Sequence, residues 1–237
     1  LGERVLLTDD NGFPEQIPEG VEPVPASEAV EVLGDVQQIV VSPGIPARHP
    51  LVRAALSRGV RVRSELALAA DHVHGRVIAV TGTNGKSTVT TLVADILAAA
   101  GRRAFAGGNL GTPLCDAVGG DYDDLVVEVS SFQLEWPHTL RPAIATVLNV
   151  SQDHLDRHGT MAAYIDAKMN LFANMDADCA AVFLRDETWW QPYLAKLRAR
   201  VSTFGTAPLS RGEQGVVFAT RPKGVSRVTP ERVDLAL

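Results

Sequence analysis

The chain sets a lysine and a hydroxyl side by side at the end of a glycine-bearing turn, Gly82-Thr83-Asn84-Gly85-Lys86-Ser87-Thr88. The apolar run Val77-Ile78-Ala79-Val80 precedes the turn. Val89, Leu92, Val93, Ile96 and Leu97 follow it at helical spacing, and Gly101 supplies a stop. A strand that feeds a glycine turn and then a helix aims backbone N–H groups and the positive helix end at an anion. Lys86 adds a point charge at that place, and the Ser87 hydroxyl can ligate Mg²⁺. The spacing departs from the usual Walker pattern, which needs glycine where Val80 stands, so the motif is the shorter G-x-x-G-K-S. A G-K-S tripeptide alone also suits a tight turn capping a helix. The strand before it and the helix after it favour a nucleotide phosphate site formed by Gly82, Thr83, Asn84, Gly85, Lys86, Ser87 and Thr88.

Further chemistry-bearing residues stand at the ends of strand-like runs. Glu128 closes Leu125-Val126-Val127, and a carboxylate beyond the carboxyl end of a parallel strand can hold the Mg²⁺ of a bound nucleotide. A charged residue where a strand surfaces is the equal alternative. Asn149 closes another run and leads into Ser151-Gln152-Asp153-His154-Leu155-Asp156-Arg157-His158. His154 among aspartates can bind a metal or touch a substrate, although a solvated acidic turn is the commoner outcome. No second Cys/His set has zinc-ligand spacing.

Lys168 is the most unusual single residue. Tyr164 and Ile165 lie four and three positions before it and Phe172 four after, which puts it on the apolar stripe of its helix. Such a lysine usually snorkels to water. If covered, it loses its charge readily and leaves a nucleophilic amine able to capture CO₂ as a carbamate. Ser42-Pro43-Gly44-Ile45-Pro46 is either a plain proline turn or a substrate loop, and Trp189-Trp190 reads as a packing pair.

The elements that must hold these residues alternate. Strands are expected over 4–8, 38–41 and 60–63, with helices over 27–33, 50–58 and 65–70. Short strands alternating with helices predict a parallel sheet covered on both faces. The polar stretch 71–76 reads as a linker between a first domain, 1–70, and a larger one, 77–237. In the larger one, strands are expected over 77–80, 124–129, 143–150 and 179–184, a loop over 107–113, and helices over 160–172 and 187–200. Antiparallel edge strands are expected after Val201, with a strand-like end over 233–237. The fold class is α/β.

Composition narrows the partners. The chain has 237 residues, 46% hydrophobic and 21% charged, as in ordinary globular proteins. A net charge of −6 gives a nucleic-acid partner no electrostatic support. Cys115 and Cys179 form neither a disulfide framework nor a metal cluster, which fits a reducing cytoplasm. No apolar run is long enough to span a bilayer, so no membrane partner is expected, and a monomer is the expected state.

Four blocks together resemble one family, the Mur ligases. They are Gly82-Thr83-Asn84-Gly85-Lys86-Ser87-Thr88, Gly108-Asn109-Leu110-Gly111, Glu128-Val129-Ser130-Ser131-Phe132-Gln133-Leu134-Glu135 and Asn149-Val150-Ser151-Gln152-Asp153-His154-Leu155-Asp156. The Ser130–Glu135 block and the form Tyr164…Ala167-Lys168 point within the family to its D-glutamate-adding branch. The resemblance implies a cytoplasmic, ATP-dependent ligase of peptidoglycan precursor synthesis. Its substrates would be UDP-N-acetylmuramoyl-L-alanine and D-glutamate, joined through an acyl phosphate.

The resemblance also implies roles. The first domain would be a Rossmann-like unit binding the UDP end of the substrate, with Asp9 near the uridine and Ser42, Pro43 and Gly44 near the pyrophosphate. The second would bind ATP through 82–88. Two Mg²⁺ ions are implied, one on Ser87 and Glu128, the other on His154 and the Lys168 carbamate. Asn109, Gln133 and His154 would contact the muramoyl part, and Lys86, His154 and Lys168 would carry the catalysis. Against the family pattern, a first glycine-rich substrate loop, a closing His-Asn segment and a third domain are missing. The chain is therefore expected to be a fragment, inactive alone. Leu184-Arg185-Asp186-Glu187 departs from the family and has no assigned role. Another Mur ligase or a folylpolyglutamate synthase-like amide ligase is the alternative enzyme, and a P-loop nucleotide-binding protein without ligase activity the alternative class.

Overall fold

The computed structural model of the chain describes residues 4–109, 111–205 and 215–217. Contacts divide the chain into two compact units, separated in sequence between Ser64 and Glu65.

In the first unit, β1 (Val5–Leu7) pairs in parallel with β2 (Val21–Pro23), and β3 (Gln38–Val41) pairs in parallel with β4 (Arg61–Ser64). The connection from β3 to β4 runs through α1 (Pro50–Ser57). Pro50 starts it, where a fixed φ and a missing N–H cost nothing, and Gly59, at φ 73°, turns the chain out of it. The helix expected over 27–33 is replaced by turns and a 3₁₀ segment, Glu31–Asp35. Its bonds, Glu28 N–H to Pro25 O and Glu31 N–H to Glu28 O, are of the tighter i→i+3 kind, and Gly34 and Asp35 are poor helix formers. Strand β2 is not marked in the sequence, since Glu22 and Pro23 disguise an edge strand.

The second unit opens with α2 (Glu65–Ala70), whose Leu66 and Ala69 are buried in its core. Arg76 already belongs to β5 (Arg76–Thr81), and contacts place 71–75 inside this unit as the turn that leads into that strand. Then follow α3 (Lys86–Ala99), β6 (Ala104–Gly108), β7 (Asp124–Glu128), β8 (Ile144–Val147), α4 (Leu155–His158), α5 (Met161–Met169), β9 (Ala180–Leu184), β10 (Arg200–Gly205) and β11 (Gly215–Val217). The seven strands form one sheet in the order β11-β10-β9-β8-β5-β7-β6, with every pair parallel. The expected α/β class with a parallel sheet is the one observed.

Alternation along the strands fills both faces. Ile78, Val80 and Val126 pack with Ala94 and with Val89, Val93 and Leu97 of α3. Ala79, Leu125, Val127, Ala145, Val147 and Phe183 face the other way, onto Leu171, Phe172, Met175 and Trp190. Each such large side chain contributes about 1.5–3 kcal/mol by leaving water.

Two expectations near the end of the described chain are corrected. Residues 187–200 form no α-helix: a 3₁₀ segment, Gln191–Lys196, is all that forms, because Pro192 has no N–H and the next strand begins at Arg200. The strands after Val201 are parallel rather than antiparallel, since the connection returns β10 alongside β9 in the same direction. Strand β6 runs through Gly107 and Gly108, where a loop is expected. The expected strand over 233–237 lies outside the described residues, as does Leu110.

Candidate functional site

From β5 the chain crosses to β6, returns to β7 beside β5, and then places β8 on β5's other side. The loops leaving β5, β7 and β8 therefore open around the point where strand order reverses, the usual ligand crevice of a parallel sheet. The candidate ligand-binding residues of the second unit lie at the end of β7, on these loops, on the loop after β6, and on α3 and α5.

Gly85 enters α3 at φ 82°, a left-handed conformation that a side chain would strain, and no side chain caps the helix start. The first-turn amides thus face outward as an anion site. Lys86 Nζ donates to the Thr83 carbonyl at 2.9 Å. The loop is carried on the segment after β8. Asn84 N–H donates to Asn149 Oδ1 at 2.9 Å, and Asn149 Nδ2 returns a bond to Asn84 O at 3.0 Å. Thr83 N–H donates to Asn149 O, Ser151 N–H donates to Thr83 Oγ1, and that hydroxyl lies 3.2 Å from the Tyr164 hydroxyl.

Ser87 Oγ donates to Glu128 Oε2 at 2.7 Å, and Asn109 Nδ2 donates to Oε1 at 3.0 Å. Asn109 reaches that place because Gly108, at φ 111°, lets two backbones touch: a Cβ there would stand 2.2 Å from the Glu128 carbonyl oxygen. Glu128 is 2% exposed, and no ion pair with it is found among the described residues. Among the described residues its side-chain partners are a hydroxyl and an amide, so the carboxylate and the Ser87 hydroxyl are hard oxygen donors short of positive charge, which fits a magnesium ion.

Lys168 is 2% exposed, so it does not snorkel. Its Nζ donates to the Gly82 carbonyl at 3.0 Å and lies 4.5 Å over the Tyr164 ring. Burial, helped by the charge of Lys86, lowers its pKa to about 7. The amine is therefore half neutral near pH 7, the state that reacts with CO₂. Thr160 fixes the start of α5 by accepting from Ala163 N–H at 3.1 Å.

His154 is half exposed, makes no side-chain bond to cap α4, and packs its ring 4.8 Å from that of Phe132. Its N–H donates to Asp153 Oδ1 at 2.9 Å, and its Nε2 lies 3.4 Å from Asp153 Oδ2. Gln133 is buried with its Oε1 accepting from Ser130 N–H and Oγ at 2.9 and 3.1 Å. Among the described residues no group of three or more His, Cys, Asp or Glu could hold a metal by itself.

Asp9, Ser42, Pro43 and Gly44 belong to the first unit, after the carboxyl ends of β1 and β3. Asp9 Oδ1 accepts from Asn11 N–H at 2.7 Å, and Ser42 O accepts from Ile45 N–H at 3.0 Å, closing a turn. The segment 184–187 begins at the last residue of β9, and Arg185 N–H donates to Phe204 O of β10. Trp190 stacks on Phe183 at 5.1 Å, the packing role expected of it. No local sequence pattern marks Ser131, Glu135, Arg157 and His158 as a set, although they meet in the structure. Glu135 and Arg157 form a 2.8 Å ion pair, and only their opposite charges hinted at it.

Residues 80–226 match the Mur ligase middle domain, and the chain belongs to the Mur ligase family. It is similar to the UDP-N-acetylmuramoylalanine–D-glutamate ligase of Trichlorobacter lovleyi, 47% identical over 156 residues, which are 65% of this chain and 35% of that protein. It is also similar to the ligase of the same name from Legionella pneumophila (strain Lens), 37% identical over 207 residues, 84% of this chain and 46% of that protein. The chain thus spans less than half the length of these relatives. Among solved structures it resembles the UDP-N-acetylmuramate:L-alanyl-gamma-D-glutamyl-meso-diaminopimelate ligase from Neisseria meningitides, with a TM-score of 0.54 and 19% identity over 84% of this chain and 69% of that one. It also resembles the MurF ligase from Thermotoga maritima in complex with ADP, with a TM-score of 0.51 and 21% identity over 79% and 51%. At these identities the structures share the fold. No helix among the described residues is long and apolar enough to cross a membrane.

Proposed function

We propose that this chain is the substrate- and ATP-binding part of a ligase that joins D-glutamate to UDP-N-acetylmuramoyl-L-alanine, with ATP activating the alanyl carboxylate as an acyl phosphate. The observation that carries the reading is the buried Glu128 carboxylate held by Ser87 and Asn109 beside an uncapped, lysine-bearing helix start. The names of the similar D-glutamate ligases support the choice of substrates.

In this reading residues 82–88 bind the nucleotide phosphates. Lys86 leaves the Thr83 carbonyl to meet phosphate oxygens, and the α3 amides take the rest of their charge. Ser87 and Glu128 would hold one magnesium ion, and His154 with carbamylated Lys168 a second. Bound there, the metal supplies positive charge where two anions must approach. Asn109 and Gln133 orient the muramoyl end, and Asp9 with Ser42–Gly44 the uridine diphosphate end. Alignment of three reactants and exclusion of water from the acyl phosphate set the rate.

The test uses the full-length protein that contains this chain. Phosphate release is measured with UDP-N-acetylmuramoyl-L-alanine and D-glutamate, and separately with folate and L-glutamate. Release that depends on D-glutamate is expected, and release with the folate pair alone would overturn the assignment. Lys86→Ala should weaken ATP binding markedly at nearly unchanged thermal stability.

A further inference from the structure

The loop after β7 and the short α4 are joined by a polar cluster to which the ligase reading assigns no role. Ser131 Oγ lies 3.0 Å from His158 Nε2, and His158 Nδ1 lies 3.5 Å from Glu135 Oε1. The His158 side chain is 4% exposed, and burial pushes its pKa below the ordinary value. A neutral ring with its proton on Nδ1, toward Glu135, accepts the Ser131 hydroxyl at Nε2. Glu135 also receives Arg157, through Nε at 3.0 Å and the terminal nitrogen at 2.8 Å. The Arg157 guanidinium lies 4.1 Å over the Phe132 ring, which packs on His154. The other side of His158 meets the Tyr164 ring at 5.2 Å.

A serine, an imidazole and a carboxylate in a row suggest a hydrolytic triad. Ser131 is 2% exposed, however, so no accessible nucleophile exists, and the Glu135 charge is already offset by Arg157 on both oxygens. The cluster bears instead on a strained neighbour. His154 has φ 51° and ψ 31°, and among the described residues it is the one non-glycine with positive φ. Such a backbone is strained for a residue with a side chain and persists where its surroundings over-determine it. Here the His154 carbonyl accepts the N–H groups of Arg157 at 3.1 Å and His158 at 3.0 Å, the same two residues whose side chains Glu135 grips.

We propose that His158, held between Ser131 and Glu135, is a positioning residue that keeps His154 in its left-handed conformation beside the phosphate loop. Its consequence for activity rests on the ligase reading, in which His154 is a metal ligand. The clamp itself does not depend on that reading.

The full-length protein is compared with His158→Phe, which keeps ring volume and the Tyr164 contact but loses both polar partners, and with His158→Gln, which can still bond Ser131. Amide exchange at residues 157 and 158 is measured without substrates. In His158→Phe it should rise about tenfold, the effect of losing one hydrogen bond, while the amides of β5 and β7 exchange as before. The Mg²⁺ concentration for half-maximal ligation should rise about 10–100-fold, as for a lost partner behind a metal ligand, at unchanged KM for ATP. His158→Gln should recover most of both. Should His158→Phe fail to fold, Ser131→Ala removes one of the two grips and should raise the same two exchange rates less steeply. Unchanged exchange at 157 and 158 overturns the clamp. Raised exchange in a protein that does not ligate D-glutamate leaves the clamp standing and removes the ligase reading. Raised exchange with an unchanged Mg²⁺ requirement in an active ligase overturns the catalytic consequence.

Discussion

Strand β7 carries a buried carboxylate at each end, and their partners differ in kind. Asp124, at the amino end, is fully buried between Arg76 of β5 and Arg102 just before β6. Burial alone pushes its pKa up, but the bonds from Arg102 and Arg76 outweigh that and hold it below the ordinary carboxylate value. Glu128, at the carboxyl end, is as deeply buried but meets a hydroxyl and an amide. One end of the sheet is electrically closed and the other is left open. A paired buried charge fixes strand neighbours, whereas a buried charge with neutral partners is tolerated where a cation is expected to arrive.

The open end should fail in function and the closed end in stability. On the proposed ligase reading, Glu128→Gln in the full-length protein keeps the shape and should lower the kcat of ligation by roughly 10²–10³, with a urea midpoint equal to or above that of the parent. A midpoint well below the parent would mean that Glu128 is a structural charge like Asp124. Asp124→Asn should behave oppositely. Stranding two guanidiniums costs about 3 kcal/mol, the low end for a broken buried pair, because Arg76 and Arg102 are 35% and 40% exposed and can turn to water. ATP affinity of the folded protein should not change. A loss no larger than that of a surface pair would erase the distinction between the two ends.

The open end was legible in the sequence and the closed end was not. Gly82–Thr88 sits between a β-branched run and a strongly periodic helix, so strand, turn and helix were readable, and Glu128 stood at the end of an apolar run. Lys168 was placed by helical spacing alone, and its burial bore out the covered alternative. Asp124 looked like an ordinary polar strand start. Its partners come from strands that are neighbours only through the crossover order, which no local pattern encodes. Strand β6 was half missed for a related reason: Ala104-Phe105-Ala106-Gly107-Gly108 has no β-branched residue, and its place at the sheet edge comes from pairing with β7. Residues 187–200 misled in the other direction, because helix formers around Trp189-Trp190 outweighed the signal of Pro192. The Ser131–Glu135–Arg157–His158 cluster joins loops from two different strands, a contact that sequence separation conceals.

Lys168 extends the comparison to the opposite sign. Arg76 and Arg102 have a carboxylate, while the Lys168 amine has the Gly82 carbonyl and an aromatic face. Its pKa is lowered from 10.5 to about 7, so between those values the unfolded chain holds a proton that the native protein has released. Stability must therefore rise with pH across that window and be flat in this term below it, with a limiting slope of about 1.4 kcal/mol per pH unit. In CO₂-free buffer, urea midpoints from pH 7 to 9.5 should climb in the parent relative to Lys168→Met. Parallel curves would show that the amine is as well solvated in the native state as in the unfolded one. With bicarbonate present, carbamate formation should stabilise the parent further and leave Lys168→Met untouched.

The smallest expected effect sharpens the comparison most directly, because it adds charge to the open end. Asn109 is exposed yet donates to Glu128 through Nδ2, while its backbone N–H holds the Glu128 carbonyl at 2.9 Å. Asn109→Asp removes the side-chain donor and sets a second carboxylate beside the first. Like charges sharing a site raise one pKa and weaken the fold. Because the new group can turn partly to water, the loss should be about 1 kcal/mol in metal-free buffer. A cation offsets both charges, so adding Mg²⁺ should recover that loss and stabilise Asn109→Asp more than the parent. The same change made beside Asp124 has no such remedy, since the two guanidiniums already fill that end. Thermal midpoints of parent and Asn109→Asp, each with chelator and with Mg²⁺, decide the matter. If Mg²⁺ shifts the two proteins equally, the crevice at Glu128 does not gather a cation, and the difference between the two ends of β7 is one of packing alone.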